Sequence, residues 1–204
     1  MAVANYRSAN GERYPPAFVL GRDGRPWHSW RVLILPFIEG HSIFKRYKMD
    51  EPWDGPNNRQ LADSMPKGLG FPVPGKKGSV VANYLAVVGA ETMWQGAKSR
   101  TSEPKDGAAN TILIAENFGL DVHWMEPRDL NFADMSFELQ KPDGISSRYK
   151  VPAVAMADTT IRTLQPGLDP NVLRAMLTAD GGEKIADTPD GWKIVEDGRD
   201  RELR

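Results

Sequence analysis

Between Val151 and Leu164 the chain reads VPAVAMADTTIRTL, two alternating runs folded about Ala157-Asp158-Thr159-Thr160. Val151, Ala153, Ala155 and Ala157 share one face, Val154 and Met156 the other, and Ile161 and Thr163 alternate in the return run. That period of two belongs to a strand. An Asp and a turn residue between such runs predict a β-hairpin that closes a sheet, although Asp-Thr is a weaker pair than Asp-Gly. A type I′ turn needs positive φ at both central positions, which costs β-branched Thr159 more than a glycine. The expectation is therefore a longer or differently typed turn, with Asp158 capping backbone amides.

A sheet built this way needs many ordered connections, and 19 glycines and 16 prolines in 204 residues supply them. The length suits one domain, read here as 1–179, followed by a polar Asp/Gly-rich segment, 180–204. That segment reads as a loosely held tail with only Trp192, Ile194 and Val195 to anchor it. A net charge of -1 carries no electrostatic footprint for nucleic acid. Without cysteine there is no disulfide, thiolate nucleophile or Cys-ligated zinc. No apolar run approaches the ~18 residues of a membrane span, and the start has neither an h-region nor a cleavage site. As written, the chain reads as soluble, with no targeting signal.

Residues Met1 to Ala9 read as the end of a helix that Asn10-Gly11 stops. Trp27 to Glu39 has the strongest helical pattern: Trp30, Leu33, Ile34, Phe37 and Ile38 form one apolar stripe, Ser29 is placed to cap it, and Pro36 should kink or end it. A further helical turn or two is expected over Ser42–Lys48, and Asn57 is placed to cap a short helix running to Met65. Val80–Val88 and Asn110–Glu116 read as central strands with apolar residues on both faces. Val122–Leu130 reads as a loop, Ser136–Gln140 as an edge strand, and Asp169–Thr178 as a helix capped by Asp169 with Pro170 at its first position. The class is α+β: N-terminal helices packed on an antiparallel sheet with long loops.

Catalytic templates fit poorly. His28, His41 and His123 are too scattered for a local metal motif, and no metal or other cofactor is expected. Ser146-Ser147 lacks the strand–turn–helix setting of a nucleophile. Gly70 to Lys77 nearly spells a P-loop, but Lys77 replaces the required Ser/Thr and Pro72 and Pro74 remove amide donors. Asp106, Glu116 and Asp158 sit at strand ends or turns, where they either converge as an acid/base or calcium site or simply bind local amides. Trp53 and Trp124 sit in polar loops, placed to stack on sugar or peptide or to plug the core beneath their own loops.

Several segments occur in a familiar order: Tyr14-Pro15-Pro16, Trp30-Arg31-Val32-Leu33-Ile34-Leu35-Pro36-Phe37-Ile38-Glu39, Glu51-Pro52-Trp53-Asp54 with Asn57, and Asn83 to Gly89. Asp106-Gly107 with Asn110-Thr111-Ile112 and Glu116, Trp124 with Pro127-Arg128-Asp129-Leu130, and Val172 to Thr178 follow. From Ala2 to Gly182 the chain resembles the prepilin-like domain-of-unknown-function family 1559, whose C-terminal signature is H-x9-DG. The resemblance implies a pseudopilin-like fold, a long N-terminal helix on an antiparallel sheet, beginning with a prepilin signal and a membrane-anchoring half. It supplies no catalytic residue. This chain departs from the family in three places. Met1 falls where the family's helix is ending, which reads as a truncation or a soluble relative. Phe71-Pro72-Val73-Pro74 stands where the family often has F-x-C-P, whose cysteine would pair in the missing helix. Arg148 and Thr159 replace the signature His and Gly, so only Asp158 remains.

The leading expectation is thus a non-enzymatic pseudopilin-like module working through protein partners at the cell envelope, in a pilin-like or secretion-associated assembly. The family implies the inner membrane, periplasm or cell surface. The alternative is a glycan- or peptide-binding module using Trp53 and Trp124 with the acids Glu116 and Asp158. A hydrolase using those two carboxylates comes last.

Overall fold

A computed structural model describes residues 2–71, 79–189 and 191–195. The chain begins with helix α1 (Ala2–Ala9). Strands β1 (Phe18–Leu20) and β2 (Pro26–Ser29) then pair as an antiparallel hairpin whose turn places Gly24 at φ 76°. The Ser29 side chain accepts from the Arg31 N–H and starts α2 (Trp30–Leu33).

The long helix expected over Trp27–Glu39 is not formed. Pro26 to Ser29 are extended, α2 is a single turn, and Leu35–Phe37 follow as a 3₁₀ turn that carries Pro36. Proline cannot donate to the carbonyl four residues back, so the α-helical ladder stops there. Burial is correspondingly not a stripe: Trp30, Arg31, Val32, Ile34 and Leu35 are all buried, while Leu33, Phe37 and Ile38 are only partly so. Helix α3 (His41–Arg46) follows. A 3₁₀ turn over Asn58–Leu61 starts without a cap from the Asn57 side chain. Glu51 fills that role instead, its Oε1 accepting from the N–H groups of Asn57 (2.8 Å) and Asn58 (2.7 Å).

The span Val80–Val88 is divided among three partners. Strand β3 (Val81–Ala82) pairs with β7 (Val122–His123), β4 (Tyr84–Leu85) pairs with β6 (Ile112–Glu116), and β5 (Val87–Val88) runs parallel to β8 (Leu130–Asn131). Asn83 makes one of the breaks: its Oδ1 accepts from Phe71 N–H and its Nδ2 donates to Asn117 C=O. The principal sheet has four antiparallel strands in the order β10-β9-β6-β4, with β9 (Ala153–Met156) and β10 (Ile161–Thr163) forming the hairpin read from the sequence. Ser136–Gln140 forms no strand; it has a lone bridge between Ser136 and Gly144 and a hydrogen bond from Gln140 N–H to Ile145 C=O. Helix α4 (Pro170–Leu177), capped by Asp169 through the Asn171 N–H, buries Val172, Leu173, Ala175, Met176 and Leu177.

Strands β11 (Ile185–Thr188) and β12 (Gly191–Ile194) make a last hairpin. It lies within the segment read as a loose tail, and it is ordered because Trp192 is buried (6 % exposed) and its N–H donates to Gln165. Residues 196–204, the rest of that segment, lie outside the described residues, as do 72–78 of the P-loop-like and F-x-C-P stretches.

One ion pair ties the first third of the chain to the loop Trp124–Asp129. The Arg31 side chain is fully buried and its Nη1 donates to Asp129 Oδ1 at 2.6 Å. Its Nε and Nη2 donate to the carbonyls of Trp124, Glu126 and Arg128. Asp129 Oδ1 also accepts from the Trp30 indole (3.1 Å) and the Ala86 amide (2.9 Å). Removing one member leaves an uncompensated buried charge, which costs ~3–5 kcal/mol. Asp129→Ala should lower stability by about that amount in urea denaturation, and Arg31→Ala/Asp129→Ala should cost less than the sum of the two single changes. Additive single effects, or a single change within ~0.5 kcal/mol of the parent, would remove the pair from this role.

Candidate functional site

The residues marked from sequence do not converge. Glu116 ends β6 with its side chain buried, and Oε2 accepts from the Ala153 N–H at 2.8 Å. Asp158 is at the opposite end of the sheet, exposed, where its own N–H binds Ala108 C=O and the neighbouring Ala157 N–H binds Thr111 C=O. From Thr111 to Glu116 the strand rises roughly 16 Å, well beyond the ~5–9.5 Å that separates cooperating glycosidase carboxyls. Asp106 is engaged as well, accepting from Gly181 N–H and Gly182 N–H at 2.8 Å each. Each of the three carboxylates therefore binds main-chain amides.

The histidines are equally dispersed. His28 is buried, its Nδ1 2.8 Å from the Tyr47 hydroxyl and its Nε2 3.2 Å from Met49 C=O. It is a core group. Burial pushes the imidazole below its ordinary range and the Tyr47 phenol well above its own. His41 is exposed on α3, and among the described residues no three His, Cys, Asp or Glu gather in a way that could hold a metal ion.

The two loop tryptophans part company. Trp124 is fully buried with its indole N–H on Ala62 C=O at 2.8 Å, a plug under its own loop. Trp53 remains half-buried, its ring 5.1 Å from His123, which in turn stacks on Trp124 at 6.2 Å. Burial lowers the His123 imidazole too, with Glu126 acting in the opposite direction. On its other side Trp53 lines an open groove of about 230 Å³ with Asp23, Arg25, Trp27, Pro52 and Asp54. The Trp53 N–H donates to Trp27 C=O at 3.1 Å, which fixes the two indole-bearing segments side by side. Trp27 was assigned to the helical run by sequence. The available signal was Pro26, which opens β2 and puts Trp27 beside the turn at Gly21–Gly24.

The signature positions occupy a three-residue turn. Met156 N–H binds Thr160 C=O, Thr159 N–H binds Met156 C=O, and of Ala157, Asp158 and Thr159 only Thr159 takes positive φ, 74°. This is a type I turn with a left-handed residue after it, so the I′ form is excluded. Asp158 Oδ1 accepts from Thr160 N–H (2.9 Å) and Thr160 Oγ1–H (2.6 Å), which hold its carboxyl below the usual carboxylate range. Arg148 lies elsewhere, exposed and over the rings of Phe71 (5.4 Å) and Tyr149 (5.0 Å).

Residues 1–75 match the model of a family described as a protein of unknown function, DUF1559. The family suspected from the motifs is thus found over the N-terminal part of the chain, which holds the Tyr14-Pro15-Pro16, Trp30–Glu39 and Glu51–Asp54 segments. No curated protein and no solved structure matches the chain.

At this turn Asp158 caps the amide two residues on while Thr159 must turn left-handed. A β-branched residue there carries strain of ~1–3 kcal/mol, partly offset by the greater unfolded-chain freedom of glycine. Thr159→Gly should therefore raise stability by roughly 1 kcal/mol in urea denaturation. A loss of stability would show that Thr159 is not strained.

Proposed function

We propose that the chain is a non-enzymatic, pseudopilin-like module that works through protein contacts at the cell envelope. The observation that carries this reading is the dispersal of its chemistry: Glu116 and Asp158 lie at opposite ends of β6, and each is engaged with the main chain. The family match over residues 1–75 and the α+β order, a leading helix ahead of an antiparallel sheet, support the same reading. No helix among the described residues is long and apolar enough to cross a membrane. The reading is tested by fractionating host cells that express the protein from its own gene locus. Recovery with the membrane or periplasm is expected, and a purely cytosolic product would refute the proposal.

A second reading rests on the Trp27–Trp53 groove, which revises the Trp53/Trp124 pairing of a glycan- or peptide-binding module. Half-buried indoles beside carboxylates suit stacking on a sugar ring or a proline-rich segment. Tryptophan fluorescence titrated with a glycan and peptide panel should respond in the parent chain and lose that response in Trp53→Ala. A flat response to the whole panel would end this reading.

A further inference from the structure

The principal sheet has two edges, and only one is guarded. At β4 the strand is two residues long, and the chain on either side of it is drawn away into the β3–β7 and β5–β8 pairs. The β10 edge is also short, three residues, but it is not drawn into another pair among the described residues. Met156 N–H to Thr160 C=O (2.9 Å) and Leu164 N–H to Pro152 C=O (3.0 Å) fix the hydrogen-bonded pairs of the hairpin. In the antiparallel alternation, Ile161 opposite Ala155 and Thr163 opposite Ala153 then take the non-bonded positions. Their N–H and C=O groups point away from β9, and no described strand lies beyond them.

Beyond short length, natural edges are blunted by proline, a bulge or a charge directed along the edge. Strand β10 has no proline and no register shift against β9. Its one charge, Arg162, is already committed within the chain, 3.3 Å from Asp187 and over the Trp192 ring at 5.8 Å. Ile161 is 68 % exposed, more than any other large hydrophobic residue described. It continues an apolar row of Ile114, Ala155 and Ile161 across three strands.

The outward array of β10 is self-complementary. Two donors and two acceptors, on Ile161 and Thr163, are exchanged by a two-fold rotation about Arg162. We propose that β10 pairs antiparallel with β10 of a second copy of this chain, joining two four-stranded sheets into one of eight. Ile161 of each copy lies opposite Thr163 of the other and exchanges both main-chain hydrogen bonds with it, while the two Ile161 side chains meet diagonally on one face. Each Arg162 is paired with Asp187 of its own copy at 3.3 Å, which reduces the repulsion between the two guanidinium groups at the axis. Three residues make a small interface, so the dimer is weak and concentration-dependent. The inference rests on the geometry of β10 alone and stands or falls separately from the envelope reading.

Sedimentation velocity on the purified chain, from about 10 μM to about 1 mM, brackets the affinities of small interfaces. The weight-average mass is expected to rise from one chain toward two. Thr163→Pro removes an outward N–H that β9 does not use, and Ile161→Lys places a charge on the edge. Both should hold the mass at one chain throughout the range while far-UV circular dichroism stays that of the parent. A parent that remains monomeric to about 1 mM would overturn the proposal, as would association that survives both folded variants or that passes beyond two copies. Should Thr163→Pro fail to fold, Ile161→Lys decides alone.

Discussion

The fold depends on a charge it cannot leave unpaired. Arg31 has no exposed side-chain surface, and a guanidinium stays charged in any folded environment. Its donors are met by Asp129 and by three carbonyls of the segment Trp124–Arg128, which must close around it as a cage. Burial pushes the Asp129 carboxyl upward, and Arg31, the Trp30 indole and the Ala86 amide draw it back. That arrangement fixes three things together: the turn of α2, the path of the loop ahead of β8, and the placing of Ala86 between β4 and β5. Two motifs about a hundred residues apart in sequence, Trp30-Arg31 and Arg128-Asp129-Leu130, are the two halves of this one contact.

Why the sheet then breaks where it does follows from the same contact. Ala86 N–H is taken by Asp129 Oδ1 and Ala86 C=O by Leu130 N–H at 3.1 Å, so the residue between β4 and β5 faces the cage and not β6. Asn83 similarly exchanges bonds with Leu69, Phe71 and Asn117. An apparently continuous apolar strand is therefore spread over three partners by two residues whose main-chain groups are claimed elsewhere.

What the sequence discloses follows the range of the forces involved. The β9–β10 hairpin, the Ser29 and Asp169 caps and the stop at Pro36 are local, each set by residues within about four positions, and all were legible. The strand positions of Ile112–Glu116 were legible too, from a short run apolar on both faces. The start of the 27–39 helix was not, because periodicity counted apolar residues without registering that Pro26 opens an extended strand that runs to Ser29. The burial of Arg31 and His28 was equally hidden, since their partners Asp129 and Tyr47 are set by tertiary approach. For the candidate site the same limit applies. Composition placed tryptophans in loops, but only packing separated Trp124, sealed by Ala62, from Trp53, left beside Trp27 at a groove.

The signature turn connects these points. Asp158 keeps its part because the Thr160 amide needs an acceptor whatever residue follows the Asp. Thr159 is β-branched at a place where the backbone turns left-handed, so the side chain carries strain that a glycine would not. The turn is fastened to β6 through Ala157 and Asp158 amides, which bind Thr111 and Ala108. That attachment holds β9 in register against β6 and so fixes which residues of β10 face outward. A rigid turn is thus what keeps Ile161 and Thr163 directed away from the sheet as a preformed edge, where a looser one would let the strand slip and fold its outward groups back on the chain.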